Sequence, residues 1–216
     1  NYKQIKTFIF KENLYRLKNK YVQNFEFLNF SQNLGGKIGI NLSKQTIIRW
    51  FNANKNKVGY PWNEDLTSKR LVNILYNYEF INSSSKTKET IQLNKIILFH
   101  IYRVMFDFKF KKINEITSYD LIANTLSYFI LKKNNDKNLK YIDIVIDKQI
   151  DKLGVHKSYN ILEHAKFLNN IYELKNIFLY FDYKVSNKIE ESLIRMNSIL
   201  NEYFHVDGSI PLFNGA

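Results

Sequence analysis

The sequence predicts an all-α fold of helix hairpins, stacked or arranged in a circle. Three observations predict it. Breakers are scarce, with two prolines and seven glycines in 216 residues, and these are the residues that most often interrupt helices. Apolar residues recur at three- and four-residue spacing over long windows, which is the period of a buried helical face. Short polar connectors join those windows and force successive helices to pack antiparallel. The composition suits a packed core, with 45% hydrophobic and 16% aromatic residues.

A first helix is expected over residues 3–22, where Ile5, Phe8, Ile9, Leu14, Leu17 and Tyr21 fall near helical spacing. "FEFLNFSQNLGGKIGINL" follows. Its early aromatics alternate and Gly35, Gly36 and Gly39 then interrupt the pattern, so it reads as extended or looped. It lacks the glycine order of a phosphate-cradling loop. Residues 1–42 are accordingly read as an N-terminal helix and loop arm, and residues 43–204 as a helical domain.

That domain opens with Ser43 as a cap for a helix carrying Ile47, Ile48, Trp50 and Phe51. Asp65 or Thr67 caps the next, through Leu71, Ile74, Leu75 and Tyr78, and "NSSSK" ends it. A strongly periodic helix carries Leu93, Ile97, Ile101, Val104, Met105 and Phe108. Thr117 and Asp120 have capping-box spacing ahead of Leu121, Ile122, Leu126, Phe129 and Ile130. After "KKNNDKN" come Leu139, Ile142, Ile146, Ile150 and Leu153, with Gly154 placed to terminate the helix. Two further helices run through Leu162 to Phe181 and Val185 to Tyr203. Glu190 and Glu191 stand near the start of the last, where acidic side chains favour the helix dipole. Helix lengths follow no single period, so a regular solenoid is not required.

The formal charge is +12 and the pI is near 9.5. Such a field attracts polyanions: nucleic acid, anionic membrane or acidic polysaccharide. The excess is mostly lysine beside abundant asparagine and isoleucine, a bias typical of AT-rich bacterial-like genomes. The lysines are scattered rather than blocked, and no recognised DNA- or RNA-binding motif is present, which argues against nucleic acid. No apolar run reaches membrane-spanning length. With no cysteine, disulfides and thiolate ligands are excluded, while the compartment, periplasmic or cytoplasmic, stays open.

Metal binding is not expected, nor any cofactor. His156 and His164 lie eight residues apart, about 12 Å of rise on one continuous helix, whereas ligands of one zinc ion each lie about 2 Å from it. His100 sits on an apolar helical face and reads as a packed side chain. "GVHKSYN" sets His156, Lys157 and Tyr159 beside a helix start, an arrangement that could address an anion. "GYPWNEDLTSKR" gathers Tyr60, Trp62 and Arg70, aromatics and a cation suited to stacking on a sugar and pairing with its carboxylate.

Three segments together resemble the heparinase II/III-like family of polysaccharide lyases and their relatives. "GYPWNEDLTSKRLVNILYNYEFI" resembles that family's Trp, Thr-Ser and Arg-Leu pattern before an apolar helix. "DKQIDKLGVHKSYNILEHAKFL" resembles its QIL-DGGH turn and following helix, and "MNSILNEYFHVDGSIPLFNGA" its DG-x-ALFN segment. The resemblance implies an (α/α) toroid of antiparallel helix hairpins, here incomplete. It also implies that the family's C-terminal β-sandwich is missing, with residues 205–216 as an exit segment toward it. The implied partner is an acidic, uronic-acid-containing polysaccharide, and the implied chemistry is β-elimination.

In that chemistry an amide neutralises the C5 carboxylate while Tyr and His move the protons. Carried over, His156 matches the turn's His, and Glu163–His164 stands where the family has Tyr-His. Tyr159 lies one helical turn earlier as a substitute, so His156, Tyr159 and His164 are the candidate catalytic residues. "LIAN" places Asn124, but Tyr119 and Asp120 replace the family's Asn-His pair ahead of it. Leu153, Gly154 and Val155 replace the DGG. Trp62, Arg70, Asn124 and Lys157 are the candidate substrate contacts. These departures point toward binding rather than cleavage, with a non-catalytic helical scaffold as the alternative.

Overall fold

The structure, a computed structural model, describes residues 20–132 and 136–203. The greater part of the expected first helix and the whole exit segment 205–216 lie outside the described residues. The chain divides into two compact units, Asn1–Lys109 and Phe110–Ala216. Regular structure among the described residues is helical throughout, and an all-α fold is therefore established.

The first unit contains α1 (Lys20–Gln23), α2 (Phe27–Ser31), α3 (Gly36–Asn54), α4 (Glu64–Tyr76), α5 (Tyr78–Asn82) and α6 (Thr87–Phe110, whose last residue passes the boundary). The glycine-rich stretch is helical, not extended. Gly35, at φ 67°, is the N-cap of α3, and Gly39 lies inside the helix. A Cβ on Gly39 would stand 2.4 Å from the Ser31 carbonyl oxygen. Gly39 permits close approach of α3 to α2, and Gly35 and Gly36 supply positive φ at the start of the helix, so the glycines mark a helix start and a helix contact rather than a loop. Ser43 is consequently interior, not a cap. Its hydroxyl bonds to the Gly39 carbonyl at 2.8 Å and to the Ser31 hydroxyl at 2.7 Å. The expected boundary between residues 42 and 43 falls within α3.

Asn63, rather than Asp65 or Thr67, caps α4, its side chain accepting from the Asp65 N–H at 3.1 Å. The core of this unit gathers Phe25, Leu28, Ile47, Trp50, Leu71, Ile74, Ile81, Leu93 and Ile101, all fully buried. Phe25 has φ 61°. Its edge contacts with Trp50, 5.3 Å between centroids, help hold it in that disfavoured conformation.

The second unit contains α7 (Ser118–Ile130), α8 (Asp136–Gln149), α9 (Ile161–Tyr180) and α10 (Asn187–Glu202). The Thr117–Asp120 capping box forms as expected. The Asp120 carboxylate also meets Lys111 Nζ at 2.7 Å, with both side chains buried. α9 packs against α7 and α10, and α10 against α8. Leu121, Ile122, Val145, Ile146, Leu168, Ile171, Leu174, Phe178, Ile189 and Met196 form the core.

Candidate functional site

The sequence-derived candidates separate between the two units. Trp62 and Arg70 lie in the first unit, and both are interior. Arg70 is wholly buried and Trp62 is 5% exposed. The guanidinium carbon stands 3.7 Å from the Trp50 ring centroid, 5.3 Å from Trp62 and 5.5 Å from Phe25. Nε donates to the Gln23 carbonyl and Nη2 to the Pro61 carbonyl, both at 2.6 Å. Burial lowers the Arg70 pKa well below its ordinary value. The Trp62 indole N–H donates to the Asn54 carbonyl at 2.8 Å. Aromatics and a cation do come together here, as expected, but they face one another inside the core rather than a polymer.

Asn124 sits on α7, 3% exposed, so it too faces the interior. The remaining four candidates meet around the α8–α9 connection, and this loop is the candidate site. Its frame is a small backbone hairpin. Ile150 pairs with His156 in an antiparallel bridge, and the Lys157 N–H donates to the Gln149 carbonyl at 2.9 Å. Asp151 closes the turn because its carboxylate accepts the N–H groups of Leu153 and Val155, each at 2.9 Å. Gly154 is therefore a turn residue, not the end of the preceding helix. It has φ 98°, and a Cβ there would lie 2.7 Å from Arg195 Cβ and 2.9 Å from its carbonyl carbon. Gly154→Ala is expected to cost roughly 2–3 kcal/mol, read as a lowered urea midpoint. An unchanged midpoint would show that the turn does not bear on α10.

His156, Lys157 and Tyr159 stand beside the helix start, as expected, just ahead of its first turn. Asn160 caps α9, accepting from Leu162 and Glu163 N–H groups. His164 is 3% exposed and bonded on both sides. Its Nδ1 accepts from the His156 N–H at 3.2 Å, and its Nε2 bonds to the Met196 carbonyl at 3.0 Å. A carbonyl only accepts, so Nε2 carries the proton and Nδ1 is the acceptor. His164 thus ties the loop to α10 and keeps no lone pair for proton abstraction or for a metal.

His156 is half-buried, and its Nδ1 is occupied by Ser158, whose hydroxyl lies at 2.8 Å and N–H at 3.3 Å. Burial, then the neighbouring His164, lowers its pKa, and Glu163 opposes the shift. The ring packs on Phe167, 5.2 Å between centroids. Tyr159 has φ 51° and is 67% exposed. Burial compensates the similar strain at Phe25, whereas Tyr159 displays its ring to solvent.

The loop surface is cationic. Lys152 and Lys157 are exposed, and the Arg195 side chain reaches the loop to donate to the Lys152 carbonyl at 2.9 Å. Among the described residues no carboxylate stands within ion-pair distance of these three. The nearby acids are engaged: Asp151 within the turn, Glu163 with Lys166 at 2.7 Å, and Asp147 with Lys188. Lys152 and Arg195 were not anticipated. The Asp-Lys-Leu-Gly order could have signalled Lys152 as a turn tip, but Arg195 arrives from α10.

No group of His, Asp or Glu among the described residues could hold a metal ion. No helix among them is long and apolar enough to cross a membrane. No family model matches the chain, and neither a curated protein nor a solved structure matches it.

Proposed function

We propose that this chain is a helical toroid domain of the heparinase II/III-like type, and that it binds uronic-acid-containing polysaccharide at the α8–α9 loop without cleaving it. The observation that carries this reading is the positive surface of Lys152, Lys157 and Arg195, none of them in an ion pair among the described residues, beside the exposed Tyr159 ring. A uronate polymer offers a carboxylate at each uronate and an apolar sugar face, and these cations and this ring complement both.

The two imidazoles of the loop support binding without β-elimination. Abstraction of the C5 proton requires a free lone pair within reach. His164 Nδ1 accepts the His156 N–H, and His156 Nδ1 accepts the Ser158 N–H, which leaves the proton of each neutral ring on Nε2. Arg70 and Trp62 have no part in this proposal, because both are interior.

The test uses immobilised alginate, chondroitin and heparin, with a neutral glucan as control, at low and raised salt. The acidic polymers are expected to be retained and the glucan not. Lys152→Glu with Lys157→Glu should weaken retention about tenfold or more, the loss of roughly 1.4 kcal/mol. Unsaturated uronate, followed by its ultraviolet absorbance, should not accumulate. Equal retention of the wild type and the double variant would remove the α8–α9 loop as the binding surface, and no retention by the wild type would leave a scaffold as the better description. Preferential retention of single- or double-stranded DNA would point to a nucleic-acid binder.

A further inference from the structure

Two exposed aliphatic side chains stand among the cations of the α8–α9 loop, and a polysaccharide leaves them unused. Leu153 is 72% exposed and Ile194 is 70% exposed. They flank one close contact. Gly154 lies against Arg195, so near that a Cβ on the glycine would stand 2.7 Å from Arg195 Cβ. Leu153 is the chain neighbour of that glycine and Ile194 the chain neighbour of that arginine. The turn presents Leu153 in a fixed frame, because the Asp151 carboxylate accepts the Leu153 and Val155 N–H groups at 2.9 Å each.

Single apolar side chains on a surface need no explanation. These two are set among positive charge. Lys152 precedes Leu153, and Arg195 follows Ile194 and donates to the Lys152 carbonyl at 2.9 Å. Lys157 lies on the facing side of the same hairpin, where its N–H donates to the Gln149 carbonyl. All three cations are exposed or half-exposed, and none is in an ion pair among the described residues. An apolar sugar face stacks on a flat ring such as Tyr159, but a branched aliphatic side chain offers no such plane. A bilayer interface uses both kinds of group. Its phosphates take the cations, and its interfacial layer takes the aliphatic side chains.

We infer that the α8–α9 loop docks on anionic lipid bilayers, with Lys152, Lys157 and Arg195 at headgroup phosphates and Leu153 and Ile194 entering the interfacial layer. The inference shares its cations with the polysaccharide reading, but it rests on the two aliphatic side chains. Each cation near an anionic surface raises partitioning about fivefold, and the aliphatic side chains add apolar area that charge alone does not bury.

Flotation of the full chain with lipid vesicles tests this. Vesicles of phosphatidylcholine with phosphatidylglycerol are expected to carry the protein upward at low salt, and vesicles of phosphatidylcholine alone are not. Leu153→Ser with Ile194→Ser keeps every cation. It should weaken flotation about tenfold or more, while retention on immobilised alginate stays as in the wild type. Lys152→Glu with Lys157→Glu should lose both. Absence of wild-type flotation with the anionic vesicles overturns the inference, whatever alginate shows. Undiminished flotation of either double variant overturns it as well, since the loop is then not what meets the bilayer or does not enter it. Flotation as expected without alginate retention would remove the polysaccharide reading and leave the bilayer contact standing.

Discussion

Acidification from about pH 6.5 toward about pH 3 is expected to remove on the order of 4–5 kcal/mol of stability through His100 alone. Its pKa falls from 6.5 to about 3 in the folded chain, because burial disfavours the imidazolium, Arg70 adds positive charge beside it, and the Ile96 carbonyl only partly offsets both. The unfolded chain therefore binds this proton first. Between the two pKa values the unfolded state carries more protons, so stability rises with pH and is lost as pH falls. Above about 6.5 both states are deprotonated there, and His100 contributes no slope.

Urea unfolding followed by Trp50 and Trp62 fluorescence across this window measures the effect. The wild-type slope should approach about 1.4 kcal/mol per pH unit from this group. His100→Phe and His100→Gln do not titrate, so their curves should be flatter by that amount, whatever their stability at neutral pH. Other groups contribute acid slopes of their own. The comparison isolates His100 because those groups are common to all three proteins. Parallel curves would show that the imidazole is solvated or paired.

How far the sequence discloses this molecule depends on whether a feature is local. The Thr117–Asp120 capping box was legible because its partners lie three residues apart and the geometry closes within one turn. The long α6 was legible because Leu93, Ile97, Ile101 and Val104 repeat a single face. Gly39 was not, because glycine marks both a turn and a close helix approach, and only the position of Ser31 distinguishes them. His164 was a candidate catalytic residue because Glu163–His164 stands where the resembled family has Tyr-His. Its second partner, the Met196 carbonyl, lies 32 residues further along the chain. Non-local partners of this kind decide whether a polar side chain is a tool or a fastener. The loop cations show the converse: Lys157 was recognisable from "GVHKSYN", while Arg195 became part of the surface only once α10 packed beside the turn.

Arg70 tests the same distinction energetically. Its composition and neighbours suit a sugar-binding arginine, yet it is wholly buried. Arg70→Ala is expected to cost about 3–5 kcal/mol, read from urea unfolding. It empties space between Phe25, Trp50 and Trp62, as large-to-small core substitutions do. It also leaves the Gln23 and Pro61 carbonyls without their donor. Arg70→Met separates these effects from the charge. Methionine fills much of the space and removes a buried cation whose desolvation opposes folding. Its cost should therefore be smaller, by about 1–2 kcal/mol. A near-neutral Arg70→Ala would mean that the guanidinium is not packed in this cluster. Polysaccharide retention sharpens the comparison. Arg70→Met should fold and retain the acidic polymer as the wild type does, whereas Lys152→Glu with Lys157→Glu should fold normally and release it. Reversal of that pattern would move the binding surface from the α8–α9 loop to the aromatic cluster, because only a guanidinium that meets the polymer can lose affinity when its charge alone is removed.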